Sequence, residues 1–214
     1  MSFFRRGWPT LPDIRLVEVD GRRWVVKDWR HRSLPRRLLQ GRFMLKREYF
    51  FLRSLEGIDG VPRCEGFPDA DSLAIEHFEG RNASVVYPQD YPRGFFDHLE
   101  ALVRAIHARG VAHGDLDQDD NVMVRADGSP GVIDFGNALR ESWFPLIRMW
   151  HDLLVRHDLQ CVARLRGRFE IDPVNPNPAP PPDLLSWQRR VLVFFRKMER
   201  NEPVRVHGVG DNVS

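Results

Sequence analysis

The sequence predicts an α+β fold with a small, sheet-rich N-terminal lobe, a short helical C-terminal lobe and a cleft between them. Two strand-like stretches near the N-terminus are joined by Asp20-Gly21, which predicts a hairpin. Two segments, 33–57 and 91–110, have apolar residues at helical spacing and predict amphipathic helices. A length of 214 residues suffices for one sizeable domain or for two small lobes. Ligands usually bind in the cleft between such lobes.

The N-terminal lobe is predicted to comprise residues 1–80. Residues 14–29 read as two strands, because Asp-Gly supplies the positive φ angles of a tight hairpin turn. Lys27 lies near the end of the second strand. A long helix is predicted over 34–56, with a proline near its start and a glycine directly after it. Residues 61–80 are predicted to form two short strands around the turn PDADS, followed by a hinge.

The helical C-terminal lobe is predicted over residues 81–171. The amphipathic segment 91–110 ends at a glycine, which is the usual C-terminal stop of a helix. The stretches NVMV and GVIDF flank an Asp-Gly turn and predict a small hairpin, and residues 142–168 are predicted to be helical. Residues 172–214 are predicted to contain a proline-rich linker, a last helix and a polar tail.

Composition narrows the functional class. The chain has 32 Lys and Arg against 30 Asp and Glu, so its net charge of +2 gives no argument for a nucleic-acid partner. Cys64 and Cys161 form no spacing motif and fit a reducing compartment. The N-terminus has no long apolar segment typical of a signal peptide, and no apolar run approaches the length of a membrane span. We therefore expect a cytoplasmic protein.

One segment, residues 29–47, permits a second interpretation of the location. It contains seven Arg or Lys among bulky apolar residues. A basic amphipathic helix can rest on an anionic membrane surface, so peripheral contact with the inner face of the cytoplasmic membrane is one interpretation. The other is a solvated helix face in an arginine-rich protein.

The stretch HGDLDQDDNVMV, residues 113–124, concentrates acidic residues in one loop. A solvated loop, a calcium loop and a metal–nucleotide site are the three interpretations. A calcium loop of the EF-hand type needs glycine at its sixth position and glutamate at its twelfth, where this chain has Asp120 and Ala126. The solvated loop is weakened by Asp134, which directly follows an apolar strand where an isolated carboxylate is costly. A hairpin joins the two acidic elements, so Asn121 and Asp134 could hold a divalent cation between them.

Five elements in chain order resemble the motifs of the protein-kinase-like fold. They are Lys27 in WVVKDW, Glu48 in LKREYFFL, Ile75-Glu76-His77-Phe78, His113-Gly114-Asp115 with Asn121, and Asp134-Phe135-Gly136. This resemblance covers roughly residues 14–160 and implies a two-lobe fold with a reduced sheet-containing N-lobe and a short helical C-lobe. It also implies ATP and Mg²⁺ as cofactors.

The resemblance implies a role for each matched residue near the nucleotide. Lys27 would bind the α- and β-phosphates, and Glu48 would orient this lysine. Backbone groups of the hinge at Glu76 and Phe78 would meet the adenine.

The catalytic and metal-binding roles follow in the same way. Asp115 would accept or orient the proton of the attacking hydroxyl. Asn121 and Asp134 would bind Mg²⁺, which prefers a few oxygen ligands and keeps several waters. His113 would brace the loop rather than carry a proton. An aspartate on the following helix would support the loop, with Asp158 as the candidate and Asp152 as the alternative.

Three features of the sequence differ from ordinary protein kinases and limit which kinase-like families it resembles. No glycine-rich loop precedes Lys27, where Gly7 and the hairpin's Gly21 are the only nearby glycines. Asp115 and Asn121 are six residues apart rather than five, which leaves Asp120 as an alternative metal ligand. Glycine replaces the arginine of the His-Arg-Asp motif, and no Ala-Pro-Glu segment follows the metal motif. These features resemble compact bacterial kinases, namely lipopolysaccharide (Kdo-type) kinases and RIO-like serine/threonine kinases.

We therefore expect an ATP-dependent phosphotransferase that moves the γ-phosphate to a hydroxyl, either of a glycolipid sugar or of a protein serine or threonine. Two alternatives stay open. The missing glycine loop is compatible with a catalytically weak pseudokinase or nucleotide-binding scaffold. The His-Gly-Asp motif also resembles aminoglycoside and choline-type phosphotransferases, although the 80 residues after Asp134 leave little room for their helical insertions.

Overall fold

The first half of the chain forms a five-stranded antiparallel sheet with one long helix, which we call the sheet region. The computed structural model describes residues 2–5 and 11–169. The strands are β1 (Ser2–Arg5), β2 (Asp13–Val19), β3 (Arg22–Asp28), β4 (Cys64–Asp69) and β5 (Ser72–Glu76), in the order β1-β2-β3-β5-β4. This order places β3 at the centre of the sheet, where Lys27 pairs with Leu73 of β5.

The predicted hairpin of β2 and β3 is confirmed. Asp20 and Gly21 form the turn with φ angles of 51° and 72°, the positive values that a tight hairpin requires. The strands β4 and β5 around PDADS are also confirmed. Strand β1 was not predicted, because its four residues are too few to show a period.

The long helix of the sheet region begins with α1 (Leu34–Arg36), continues through a π-helical turn (Arg37–Gly41) and ends with α2 (Arg42–Ser54). The helix predicted over 34–56 is therefore confirmed, with its end two residues earlier. At Gly41 an added Cβ would lie 2.8 Å from the ring of Trp29, so only glycine lets the helix approach this buried side chain. This contact fixes the helix against the end of β3.

The remaining described residues form the helical region. Its helices are α3 (Phe95–Ala108) and α4 (Pro145–Phe169); its strands are β6 (Gly80–Asn82), β7 (Val111–Ala112), β8 (Val122–Arg125), β9 (Pro130–Val132) and β10 (Leu139–Arg140). Strands β6, β8 and β9 form one sheet, and β7 pairs with β10. Both helices and the β8–β9 hairpin confirm the sequence predictions. The strands β6, β7 and β10 were not predicted, because each has only two or three residues and pairs with a distant partner.

One hydrophobic core runs through both regions. It includes Trp29, Leu45 and Leu73 of the sheet region and Leu99, Leu116, Phe135 and Leu165 of the helical region. All described residues fall in one compact unit, and the division into lobes at residue 80 stays a prediction. The linker, helix and tail predicted for 172–214 lie outside the described residues. Over the described part of the chain, no helix combines the length and apolar character needed to cross a membrane.

Candidate active site

Lys27 lies at the centre of the candidate site, between two carboxylates. Its Nζ is 2.7 Å from Oε1 of Glu48 and 2.9 Å from Oδ1 of Asp134. The sheet fixes Lys27 through its pairing with Leu73, and α2 presents Glu48 from the buried face of the helix. The structure thus brings together three of the residues that the sequence singled out, from β3, α2 and the segment after β9.

The three charges of this cluster shift one another's pKa. Burial alone would lower the pKa of Lys27, but the adjacent carboxylates of Asp134 and Glu48 outweigh it and raise the pKa. For Asp134, loss of hydration is likewise outweighed, here by Lys27, and the pKa falls below its usual value. Burial raises the pKa of Glu48 despite Lys27. Lys27 and Asp134 are therefore both charged at neutral pH.

Asp134 has an unusual backbone conformation. Its φ of 66° and ψ of 75° lie in the left-handed region, which non-glycine residues rarely adopt. The N–H of Gly136 donates to its Oδ1, and a 3-10 turn (Phe135–Asn137) follows directly. Its side chain is 51 % exposed, whereas that of Glu48 is only 5 % exposed. The strained backbone thus places a charged, accessible carboxylate just beyond the end of β9.

The β8–β9 hairpin brings the backbone of Asn121 opposite Ile133, the residue before Asp134. The N–H of Ile133 donates to the carbonyl of Asn121 at 3.0 Å. A 3-10 turn (Asp119–Asn121) accommodates the extra loop residue and keeps Asn121 buried, with its Nδ2 donating to the Asp115 carbonyl at 2.9 Å. Asp120, the alternative in register, is exposed and accepts a hydrogen bond from the Ser84 hydroxyl.

Asp115 is buried, and three side-chain amides donate to its Oδ2. Nε2 of Gln118 lies 2.5 Å away, Nδ2 of Asn137 3.2 Å and Nδ2 of Asn121 3.3 Å. Sequence reasoning assigned no role to Gln118 or Asn137. Asn137 directly follows the Asp134-Phe135-Gly136 motif, and that position was the only available signal. Asn137 connects the Asp134-Phe135-Gly136 segment to Asp115, the predicted catalytic residue.

The backbone of the loop before Asp115 is held by buried side chains. The carboxylate of Asp158 accepts hydrogen bonds from the N–H groups of His113 at 2.7 Å and Gly114 at 2.9 Å, and it also contacts the ring of His107 at 3.0 Å. Asp152, the alternative considered from the sequence, is 56 % exposed and contacts the neighbouring His151 on its own helix.

His113 packs within the loop. Its ring meets that of Phe135 edge-on, with centroids 4.8 Å apart. Its Nε2 faces the carbonyl of Ile133, and its Nδ1 faces the N–H of Asp115. A carbonyl can only accept and an N–H can only donate, so these partners assign the ring proton to Nε2. This geometry matches a bracing residue.

Gly114 replaces arginine of the His-Arg-Asp motif for a steric reason. Its φ is +76°, and an added Cβ would lie 3.3 Å from the carbonyl oxygen of Asn137 and from a methyl group of Leu154. The left-handed conformation and the close packing therefore both favour glycine. Leu154 also shows that α4 passes directly behind the loop.

The two aspartates without a predicted role, Asp117 and Asp119, attach the loop to the C-terminal end of α4. The guanidinium of Arg168 lies 2.7 Å from a carboxylate oxygen of Asp119, and Arg164 donates to the Asp117 carbonyl at 3.3 Å. The carboxylate of Asp119 and the backbone carbonyl of Asp117 thus attach the loop to α4.

A cavity of about 170 Å³ opens beside this cluster. Its lining includes Lys27, Glu48 and Asp134, with Leu11 and Pro12 from just before β2 and Ile14 from its start. This volume is below that of a typical ligand pocket.

The hinge residues do not line this cavity. The carboxylate of Glu76 accepts from the N–H and guanidinium of Arg63. The ring of Phe78 lies against Gly131, and the guanidinium of Arg125 is 5.4 Å from its centroid. Both side chains are thus engaged in packing, and adenine contact through the hinge backbone stays a prediction.

The donor set fits a small divalent cation. A charged, half-exposed carboxylate at Asp134 and a neighbouring amide at Asn121 offer hard oxygen ligands, which suit Mg²⁺ with most of its waters retained. Among the residues that the structure describes, no group of three or more His, Cys, Asp or Glu side chains is placed to hold a metal. The site therefore does not resemble a cage made of protein ligands alone.

Comparison with known proteins identifies the fold. No protein-family profile and no curated protein matches the sequence. The structure is similar to the Rio2 kinase–ADP/Mg²⁺–phosphoaspartate complex from Chaetomium thermophilum, with a TM-score of 0.59 and 18 % identity, over 92 % of this chain and 70 % of that chain. A second structure of the Chaetomium thermophilum Rio2 kinase gives a TM-score of 0.60 and 20 % identity, over 89 % and 62 %.

These likenesses show that the chain has a protein-kinase-like fold, and the predicted α+β fold class is confirmed. The chain spans only 62 % of the second neighbour, and identities this low show the fold alone. The resemblance to RIO-like kinases is therefore supported as a likeness of fold. The resemblance to lipopolysaccharide kinases and a bacterial origin stay predictions.

Proposed function

We propose that the protein is an ATP-dependent phosphotransferase that uses Mg²⁺. The observation that carries this proposal is the cluster in which Lys27 contacts both Glu48 and Asp134, with Asn137 linking the same segment to Asp115. Phosphoryl transfer depends mainly on positioning and on charge neutralisation, and this cluster provides both. The ADP and Mg²⁺ in the Rio2 complex agree with this assignment.

Each residue of the cluster has a distinct task in this proposal. Lys27 binds the α- and β-phosphates with its ammonium group, and Glu48 keeps the lysine side chain in place. Asp134 and Asn121 hold Mg²⁺, which neutralises charge on the phosphates when it is bound. Lys27 and Asp134 contact each other in this structure. Phosphate would compete for Lys27, and Mg²⁺ would compete for Asp134, when the nucleotide binds.

Asp115 acts on the acceptor. The acceptor hydroxyl oxygen attacks the γ-phosphorus, the bond from that phosphorus to the β-phosphate oxygen breaks, and ADP leaves. Asp115 accepts a hydrogen bond from the hydroxyl and takes its proton as the new bond forms. The three amide donors at Oδ2 hold the carboxylate in one orientation for this task. A glycolipid sugar and a protein serine or threonine are both suitable acceptors.

The test compares Asp115→Ala with Asp152→Ala. Purified wild-type protein with Mg·ATP is expected to show a thermal shift and release or transfer phosphate. Asp115→Ala should retain the thermal shift and lose turnover by about 10²–10⁴-fold, the usual contribution of a catalytic acid or base. Asp152→Ala, an exposed acid on α4, should match wild type. ATP binding without any wild-type turnover would instead establish a nucleotide-binding scaffold.

The phosphoaspartate of the Rio2 complex favours a second candidate, an ATPase that phosphorylates its own carboxylate. Asp134 is the candidate acceptor, because its side chain is half exposed whereas Asp115 is buried. The carboxylate oxygen would attack the γ-phosphorus, ADP would leave, and water would hydrolyse the acyl phosphate. Protein-bound phosphate that is labile to hydroxylamine and absent from Asp134→Asn would support this candidate; a phosphate stable to hydroxylamine would exclude it.

A further inference from the structure

The start of α4 exposes an unusual number of large apolar side chains. Trp143 is 91 % exposed, and Phe144, Leu146, Ile147 and Met149 are each between 40 % and 55 % exposed. Together with Pro145 and Trp150 they form a segment, residues 143–150, that we call the apolar tip. Arg148 is its only charged residue. A contiguous exposed apolar patch on a protein usually marks an interaction site.

The apolar tip is apolar around the helix rather than along one side. Six consecutive residues cover every side of a helix with 3.6 residues per turn. Of the six residues 145–150, five are apolar. A helix that docks on a flat protein surface needs only an apolar stripe. This tip needs an environment that surrounds it.

A second exposed apolar surface lies on the long helix of the sheet region. Leu39, Phe43 and Phe50 are between 47 % and 79 % exposed, and with the exposed Lys46 they recur at helical spacing. We call these four residues the outer stripe. The only acidic residue between 34 and 53 is Glu48, which is buried beside Lys27, against six Arg and Lys. Arg37 and Arg42 pair with Asp71, and Arg53 pairs with Glu56, so Lys46 supplies the positive charge of the outer stripe.

Arg140 joins the two surfaces. Its guanidinium lies over the ring of Phe50 at the end of the outer stripe, 5.4 Å from the centroid. It stands three residues before Trp143, the first residue of the apolar tip. The guanidinium of Arg47 on α2 also donates to the carbonyl of Ala138, just before β10. The stripe and the tip thus belong to adjacent parts of one surface.

This surface lies near the candidate active site. Leu154 of α4 packs behind Gly114 of the catalytic loop, and Leu146 of the tip is eight residues earlier on the same helix. At 1.5 Å per residue, Leu146 lies about 12 Å along the helix from this contact. An acceptor held at the surface could therefore lie within reach of the site.

We propose that the apolar tip and the outer stripe form a docking surface for an anionic lipid membrane, with the tip inserted among the headgroups. The six residues of the first turns span about 9 Å, which matches the 5–10 Å that interfacial segments bury. Tryptophan and phenylalanine with flanking arginine and lysine are the residues that such segments use. The proposal goes beyond the phosphotransferase assignment and does not depend on it.

The charge and shape of the surface favour a membrane over a protein partner. A membrane offers a fluid apolar layer that can enclose the tip on every side, together with negative headgroups for Lys46, Arg140 and Arg148. A protein partner would need a deep apolar socket with acidic edges. Within the described residues, the matching surface of a second copy is itself apolar and basic and would not complement this one.

The test is co-sedimentation of the full chain with vesicles. Vesicles of phosphatidylcholine and phosphatidylglycerol in a two-to-one ratio should bind the protein, and vesicles of phosphatidylcholine alone should bind it less. Binding should weaken as salt rises, because salt screens the basic residues. The fluorescence emission of the bound protein should shift to the blue, and Trp143→Phe should remove most of that shift.

The decisive variant is Trp143→Ser with Leu146→Ser. It should weaken vesicle binding by about tenfold or more, since burial of one large apolar side chain is worth about that factor. Lys46→Glu should weaken binding to the anionic vesicles only. The matched control is Val85→Ser with Tyr87→Ser, which removes two side chains of similar exposure. That segment leads to Tyr91, whose ring contacts Phe169 at the opposite end of α4.

Three results would overturn the proposal. Wild-type protein that sediments with neither type of vesicle would exclude a membrane surface. Equal loss of binding in the Val85/Tyr87 control would show nonspecific adsorption. Concentration-dependent self-association in analytical ultracentrifugation, abolished by the Trp143/Leu146 variant and accompanied by no vesicle binding, would instead assign the surface to protein–protein contact.

Discussion

The carboxylate of Asp115 is held by side-chain amides from three different positions, and this arrangement determines what it can do. Gln118, Asn121 and Asn137 donate their side-chain amide N–H groups to Oδ2 of this carboxylate. They also fix its rotamer. An oriented carboxylate can accept the hydrogen bond of an attacking hydroxyl, and a mobile one would do so less often.

Asn137→Ala tests this arrangement at the residue scale. Loss of one hydrogen bond to a charged group should lower kcat by about tenfold or more, because such bonds contribute about 1.5–3 kcal/mol. Affinity for Mg·ATP should not change, since Asn137 contacts Asp115 rather than Lys27 or Asp134. Steady-state kinetics with a parallel nucleotide titration measure both quantities. An unchanged kcat would show that the Asn137 contact has no role in positioning.

Asp158→Ala tests the support of the loop that carries Asp115. The substitution leaves the N–H groups of His113 and Gly114 buried without their acceptor. The free energy of unfolding should fall by about 3–5 kcal/mol, as expected when a buried charged partner is removed. Urea denaturation measures the change.

The matched control is Asp152→Ala on the same helix, whose exposed side chain should contribute less than about 0.5 kcal/mol. Equal destabilisation by the Asp158 and Asp152 variants would mean that the loop does not depend on the carboxylate of Asp158.

At the scale of the element, β3 ends in a charge cluster that holds the chain before α1. Asp28 is fully buried and accepts hydrogen bonds from the backbone and guanidinium of Arg30, with Arg15 at 3.2 Å. Burial opposes the charged form of Asp28, but these contacts outweigh it and lower the pKa below the ordinary 3.8. The ionised carboxylate thus stabilises the folded state.

A lowered folded pKa predicts the pH dependence of this contribution. It is fully present above the unfolded value of about 3.8 and is lost as pH falls through the lower, folded pKa. The difference in unfolding free energy between wild type and Asp28→Asn should therefore be largest near neutral pH and shrink in acid. Urea titrations at several pH values measure this difference. A difference that stays constant down to acid unfolding would contradict the assignment.

Periodicity explains why most elements could be predicted. The β2–β3 hairpin is long enough to show a period of two residues. The long helix of the sheet region and the helices α3 and α4 are each long enough to show a period of 3.6 residues. Strands such as β6 and β10 are short and exist because distant segments meet, which no local pattern records. The same limit applies to β1.

Site residues, like secondary-structure elements, can be predicted only where a local sequence pattern marks them. Lys27, Asp115 and Asp134 could be proposed because each stands in a local motif. Gln118 and Asn137 could not, because their role arises only when the loop folds back and their amides meet Asp115. The sequence likewise does not show that a 3-10 turn buries Asn121 and leaves Asp120 exposed, and the choice between them as metal ligand stays a prediction.

At the scale of the whole molecule, the two regions meet through the Lys27 cluster. Lys27 and Glu48 belong to the sheet region, and Asp134 belongs to the helical region. Arg47 adds a second contact by donating to the carbonyl of Ala138. The pairing that positions Lys27 therefore also fixes α2 against the segment after Asp134, so loss of the lysine should affect ligand binding and the association of the regions together.

The central claim is that this cluster binds Mg·ATP, and isothermal titration calorimetry tests it most directly. We predict that wild-type protein binds Mg·ATP, that omission of Mg²⁺ weakens binding, and that Lys27→Met weakens it by about tenfold or more, since a charge-assisted contact to phosphate is lost. Trp143→Ser with Leu146→Ser, which lies outside the cluster, should bind Mg·ATP as wild type does. Absence of wild-type binding, or equal affinity in Lys27→Met, would contradict the account.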